Sequence, residues 1–288
     1  MPAVQGTTSI LNSALKYGTN VKRIVLTSSL AAIREADPNP RTYNETNWNN
    51  AAVAAVKSKG SGAGPVLIYL ASKTLAERAA WEFVEAHKTE LTWDLVALNP
   101  PYVFGVRRLN LPLSLYAPPN GAHSYITQAS LTPAPTVDDI NTSQREIYDT
   151  LAGARTGEQL QGQGNWVHVR VAAEAHVRAT HAAAAGGERI IVRSGYFFFQ
   201  DFRKSAVLFP ITITEMLRCY KVDAAAELGI PNVPRGEPGS TVNVQRSTNL
   251  VTTKSEDLLG LNGTIPLKDV IEESVKDFRA RGYPGFTA

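Results

Sequence analysis

Apolar positions at Val4, Ile10, Leu11, Ala14 and Leu15 recur close to helical spacing and predict a helix over 4–17, stopped by Gly18. Val21 to Ser28 is β-branched and carries no charge after Arg23, the pattern of a buried strand. Residues 34–64 read as loop, with Asp37-Pro38-Asn39-Pro40 and Lys59-Gly60-Ser61-Gly62-Ala63-Gly64-Pro65 as breakers. A helix dense in Ala, Leu and Glu is predicted over 66–88, then a strand from Trp93 to Leu98 that ends at Asn99-Pro100-Pro101. Residues 109–136 are Pro-rich and irregular. Further on the pattern predicts a helix over 137–153, a short strand over 166–169, a helix over 174–185 ended by Gly186-Gly187, and a strand over 189–193. Strands alternating with helices predict an α/β fold with a parallel sheet and crossover connections. The tail, 227–288, has shorter periods and more Pro and Gly, as expected of a smaller lobe. No internal repeat is present.

At 288 residues the chain has room for one large α/β domain, or a core domain with a small lobe. Hydrophobic residues at 43% and charged residues at 19% exclude wholesale disorder. The net charge is +3 and no basic run exceeds Arg107-Arg108, which argues against a nucleic-acid partner. The single cysteine, Cys219, excludes an internal disulfide framework and a cysteine-based metal site, and fits a reducing compartment. No run of about 18 apolar residues predicts a membrane span, and the N-terminus has neither the basic nor the apolar region of a signal peptide. Cytoplasmic localisation is the expectation.

Candidate chemistry gathers at three positions. Ser29 follows the strand-like run Ile24-Val25-Leu26-Thr27-Ser28, at the carboxyl end where open α/β sheets bind ligands. Tyr69 and Lys73, four residues apart in Tyr69-Leu70-Ala71-Ser72-Lys73, share one face of the predicted helix. A phenol titrates near ~10, and an ammonium one helical turn away brings it nearer to neutrality by favouring the phenolate. A serine hydroxyl beside it can hold a substrate oxygen as charge develops there. Such a set moves a proton to or from a carbonyl oxygen. The lysine ammonium can also hydrogen-bond the ribose of a nicotinamide nucleotide.

Other residues carry blander readings. His123, His168, His176 and His181 share no metal-ligand spacing, so structural roles are expected. Asp138-Asp139 and Glu272-Glu273 read as solvated helix faces. Gly60 to Gly64, near Lys57 and Lys59, lacks the Gly-Lys-Ser/Thr ending of a phosphate-cradling loop and reads as a surface loop. Phe197-Phe198-Phe199 reads as an aromatic cluster of the core or of the lobe, with the lining of a substrate pocket as the alternative.

The motifs taken together resemble the extended short-chain dehydrogenase/reductases of the NAD-dependent epimerase/dehydratase superfamily, and within them the dihydroflavonol-reductase-like and fungal aldehyde/ketone reductases. The resemblance lies in Pro2 to Thr8, Val21 to Ser29, Tyr43-Asn44-Glu45-Thr46-Asn47-Trp48, Tyr69 to Lys73 with Ala76-Glu77, and Asn99-Pro100-Pro101-Tyr102-Val103-Phe104-Gly105. Trp166-Val167-His168-Val169 with Ala175-His176, Gly187 to Ile191, and Leu258-Leu259-Gly260 extend it.

This resemblance implies a Rossmann-like parallel sheet with flanking helices and a small C-terminal substrate lobe. It divides the chain into a partial nucleotide-binding domain over 1–195, with some lobe segments, and a substrate lobe over 196–288. It also implies a nicotinamide-dependent carbonyl reductase with Ser29, Tyr69 and Lys73 as catalytic residues and Tyr69 as the acid. Thr27 and Ser28 would lie along the cofactor with Tyr69 and Lys73, and Pro100 and Val103 on its nicotinamide side. NADP or NAD is implied, NADP preferred, and the partner is a small-molecule carbonyl compound. A sugar-nucleotide epimerase or dehydratase stays open as the alternative within the fold.

Three departures from the pattern bear on these expectations. The opening strands and the glycine-rich pyrophosphate turn are absent, so at ~30 or more residues per βαβ unit at least ~60 residues are expected before Met1. An inactive fragment without a cofactor site is therefore a second reading, with weak dinucleotide binding and an exposed edge at 24–28 as its consequences. Val171 stands where the family usually carries an acidic residue. Residues 204–222 match nothing in the family, and read as an insertion or as a retained intron translated in frame.

Overall fold

The structure is a computed structural model that describes residues 1–37, 39–106, 136–203, 241, 243–262 and 265–286. The Pro-rich stretch over 109–135 with His123, and the insertion at 204–222 with Cys219, lie outside those residues. In chain order the elements are α1 (Pro2–Tyr17), β1 (Arg23–Thr27), β2 (Arg41–Tyr43), α2 (Asn50–Lys59), α3 (Pro65–Ala86), β3 (Asp94–Asn99) and β4 (Tyr102–Phe104). They continue as α4 (Thr142–Leu151), β5 (Gln163–His168), α5 (Val169–His181), β6 (Arg189–Ile191), β7 (Gly195–Phe198), β8 (Thr248–Leu250), α6 (Thr253–Leu259) and α7 (Leu267–Ala280).

Two compact units are formed, and the chain passes between them several times. The first comprises Met1–Pro101, Val171–Arg193 and Arg246–Gly263. Its sheet has the order β1-β3-β6, all parallel, with Val25 beside Val96 and Leu98 beside Ile190. The central strand β3 buries Leu95, Val96, Ala97 and Leu98, as an apolar run covered on both faces requires. Among the described residues β1 has β3 as its one neighbour and forms the sheet edge. Helices α1 and α3 pack together, and their contact joins Leu11, Ala80, Phe83, Trp93 and Leu95 into one cluster with Ile24 and Leu26 against it.

The expectation of loop throughout 34–64 is corrected. Helix α2 fills much of that interval, because the breakers stand only at its ends. Between them the run Ala51-Ala52-Val53-Ala54-Ala55-Val56 favours helix, and the Asn49 side chain caps it by accepting from the Ala52 N–H at 3.1 Å. Strand β2 also lies there, paired in parallel with β8 across more than two hundred residues of sequence. The glycine-rich stretch from Gly60 to Ala63 is a short exposed 3-10 turn.

The second unit comprises Tyr102–Arg170, Ser194–Gln245 and Thr264–Ala288. Here β5 pairs in parallel with β4 and antiparallel with β7. Its core joins Phe104, Trp166, Phe197, Phe199, Phe202 and Phe278. Phe197 is fully buried, its ring stacked on Phe202 at 5.3 Å between centroids, so of its two readings the core is the one observed. In the tail, α7 turns Val270, Ile271, Val275 and Phe278 inward at helical spacing.

Helix α5 begins at Val169 rather than at 174, directly after β5. The fully buried His168 explains the early start: its Nδ1 accepts from the Arg170 N–H at 3.0 Å, filling one of the first-turn donors that a helix leaves unpaired. Nδ1 being the acceptor, Nε2 carries the proton and faces Glu273 Oε2 at 3.4 Å. Glu273 also receives Arg170 Nη2. Glu273 is therefore no solvated side chain but the partner of His168 and Arg170. Val171, where the resemblance expects an acid, is buried. Among the described residues no helix is long and apolar enough to cross a membrane.

Candidate active site

The carboxyl ends of β1 and β3 bring the sequence-selected residues of the first unit together. After β1 the backbone turns at Ser29, whose φ of −164° and ψ of 154° start a 3-10 turn over Leu30–Ala32. The Ser29 hydroxyl accepts from the Ala31 N–H at 3.1 Å and reaches Pro100 O at 3.5 Å. Pro100 O also accepts from the Leu30 N–H at 2.9 Å, which fixes the β1 exit against the β3 exit. Helix α3 packs on this turn.

Tyr69 and Lys73 stand one turn apart in the first half of α3. Tyr69 is 53% exposed, so its ring contributes little to the core. Lys73 Nζ reaches the end of β1 and donates to Thr27 O at 3.3 Å. Burial holds the Lys73 ammonium below the ordinary lysine range, and the charge of Glu77 opposes that shift. Lys73 thus joins the tyrosine helix to the strand that leads into Ser29.

Thr27 is exposed and Pro100 buried. Thr27 Oγ1 lies 2.8 Å from His176 Nε2. His176 Nδ1 lies 2.7 Å from Ala172 O, and because a carbonyl only accepts, Nδ1 carries the proton and Nε2 accepts from Thr27. Ser28 is buried and its hydroxyl donates to Glu77 Oε2. Val103 belongs to the second unit, in β4, beside Val167 of β5.

A buried polar group beneath these residues was not picked out by the sequence reading as part of a site. Glu77 is 1% exposed. It accepts from Ser28, from Asn99 Nδ2 at 2.8 Å and from Arg189 Nε at 2.6 Å. The signal was its spacing: Glu77 follows Lys73 by four residues, on the same helical face. No group of three or more His, Cys, Asp or Glu among the described residues is placed to hold a metal ion.

Burial depresses the pKa of both His168 and His176, outweighing the opposing pull of Glu273 on the first and of the Ala172 carbonyl on the second. The folded chain therefore holds both rings neutral where the unfolded chain, titrating near ~6.5, begins to bind protons. Stability is fully present above pH ~6.5 and is lost as pH falls below it, by about 1.4 kcal/mol per pH unit for each proton taken up on unfolding. Urea midpoints measured from pH 8 down to 5 should fall, and a His168→Gln/His176→Gln variant should show a flatter profile. A parent midpoint that stays level across that window would contradict the assignment.

Comparison with known proteins places these features in a family. No protein-family model matches the chain. An NADPH-dependent methylglyoxal reductase of Saccharomyces cerevisiae is 31% identical over 281 residues, covering 95% of this chain and 68% of that protein. A ketoreductase of Aspergillus niger is 34% identical over 267 residues, covering 90% of this chain and 63% of its own length. The chain thus spans about two thirds of these relatives. The crystal structure of a yeast methylglyoxal/isovaleraldehyde reductase complexed with NADPH superposes with a TM-score of 0.68 at 30% identity, covering 97% of this chain and 71% of that one.

Proposed function

Because this chain belongs to the extended short-chain dehydrogenase/reductases, we propose that it serves an NADPH-dependent reductase of small aldehydes and ketones, with Tyr69 as the general acid. One observation carries the reading: Tyr69 and Lys73 share a face of α3, Lys73 reaches Thr27 O, and α3 packs on the turn that Ser29 caps. The elements that carry the proposed proton donor, cation and substrate-orienting hydroxyl therefore meet at the carboxyl end of a parallel sheet, where such folds bind ligands. The proposed cofactor and carbonyl substrates are those of the similar reductases, NADPH with methylglyoxal or isovaleraldehyde.

The residues present fit the nicotinamide end of a dinucleotide. Lys73 spends one of its three N–H donors on Thr27 O, leaving donors for ribose hydroxyls. Asn99 Oδ1, at the end of β3, is a buried acceptor with no partner among the described residues. Thr27 and Pro100 are the further contacts proposed in the first unit. A bound reduced nicotinamide supplies the hydride.

The chain's own residues handle the oxygen. Ser29 Oγ donates to the carbonyl oxygen and draws negative charge onto it. The Tyr69 hydroxyl gives that oxygen its proton, completing the alcohol. Lys73 holds positive charge beside the phenolate left behind.

Titration of the full-length enzyme with NADPH, and NADPH consumption on adding methylglyoxal or isovaleraldehyde, tests the reading. Replacing Lys73 by Met should weaken NADPH binding by about 10- to 100-fold, since a hydrogen bond from a charged group is worth ~1.5–3 kcal/mol. An unchanged affinity would remove Lys73 from the cofactor site. A lack of NADPH consumption across a panel of aldehydes and ketones would remove the carbonyl-reductase assignment.

A further inference from the structure

We propose that Glu77 is a positioning residue for this reaction, locking the strand ends that lead into Ser29 and Pro100 to the helix that carries Tyr69 and Lys73. The inference rests on the reductase reading and deepens it.

Glu77 uses both carboxylate oxygens in different directions. Oε1 receives Arg189 Nε at 2.6 Å and Trp81 Nε1 at 3.4 Å. Oε2 receives the Ser28 hydroxyl and Asn99 Nδ2, the latter at 2.8 Å. Asn99 Nδ2 also donates to Ser29 O at 3.1 Å. One side chain on α3 is thereby tied to the ends of β1 and β3 and to β6, and it stands two bonds from the Ser29 backbone.

A carboxylate needed only to neutralise a buried arginine would not require the second arm. Arg189 already donates to Glu45 O at 2.5 Å and Asn47 O at 2.8 Å. The Oε2 arm points instead at the two residues that precede Ser29 and Pro100, the positions whose placement against Tyr69 decides whether a carbonyl oxygen meets two donors at once. A displacement of about 1 Å in such a set is enough to cost ~10²-fold in rate. Glu77 also lies one turn beyond Lys73, and its charge favours the ammonium that burial disfavours.

The test uses the full-length enzyme in three forms beside the parent. Glu77→Gln/Arg189→Gln removes both buried charges together, so neither is left uncompensated. It should lower kcat by roughly 10- to 100-fold and move the alkaline limb of the kcat–pH profile to lower pH, because Lys73 loses its supporting carboxylate. Ser28→Ala leaves every charge in place and cuts only the tie to β1. It should lower kcat several-fold with a thermal midpoint near the parent's, and this variant decides the matter if the double variant does not fold. Tyr69→Phe is the reference: turnover retained there sinks the reductase reading itself. Loss of turnover in Tyr69→Phe, with parent-like kcat and pH profile in a folded Glu77→Gln/Arg189→Gln enzyme or parent-like kcat in Ser28→Ala, overturns the role of Glu77 alone.

Discussion

Replacing Tyr69 by phenylalanine should lower turnover by ~10²-fold or more while leaving the fold intact, the scale of losing a positioned general acid. The change removes a single oxygen. At 53% exposure Tyr69 contributes little to packing, so the thermal midpoint should move little, as for surface substitutions generally. The helix is equally indifferent, because phenylalanine and tyrosine have similar propensities. The loss should therefore fall on kcat, with NADPH binding preserved through Lys73. Turnover within a few-fold of the parent would show that another group donates the proton, and a collapsed midpoint would show that Tyr69 is structural.

Arg189→Met is expected to be the most damaging single change to stability in the first unit, at about 3–5 kcal/mol, because it leaves the carboxylate of Glu77 buried without its countercharge. The side chains of Arg189 and Glu77 are 10% and 0% exposed, so water cannot take the lost partner's place. The guanidinium also lies 3.6 Å from the centre of the Trp48 ring and donates to Glu45 O and Asn47 O, which the methionine stem cannot replace. A domain holds ~5–15 kcal/mol in all, so a loss on this scale is a large fraction of it. Urea unfolding measures it directly. Replacing both partners, as Glu77→Leu/Arg189→Met, should restore part of the loss because no orphan charge remains. A single variant within ~1 kcal/mol of the parent would show that the pair is solvated after all.

The sequence by itself determined the elements whose information is local. Short uncharged apolar runs mark β1 and β3, and a long stretch dense in Ala, Leu and Glu marks α3; the four-residue spacing of Tyr69 and Lys73 places both on one helical face. The charge-poor apolar run at Leu95–Leu98 already implies a strand covered on both sides. Helix α2 was equally local but was hidden by its flanking breakers, which drew the whole of 34–64 into a loop.

What only the tertiary structure decided is what depends on residues far apart in sequence. The pairing of β2 with β8 leaves no pattern in either strand, since register is set by neighbours that the local sequence does not contain. Glu273 reads as a solvated acid on a helix until folding brings His168 and Arg170 against it. That the Ser28 hydroxyl donates to Glu77, 49 residues away, is likewise visible only in the fold. Arg189 and Glu77, given no role by the sequence, become a buried pair 112 residues apart in the chain. Helical and strand periods reflect backbone geometry repeating over a few residues, and so are written in the sequence. A buried charge is tolerable only beside its partners, and the identity of those partners exists only once the chain has folded.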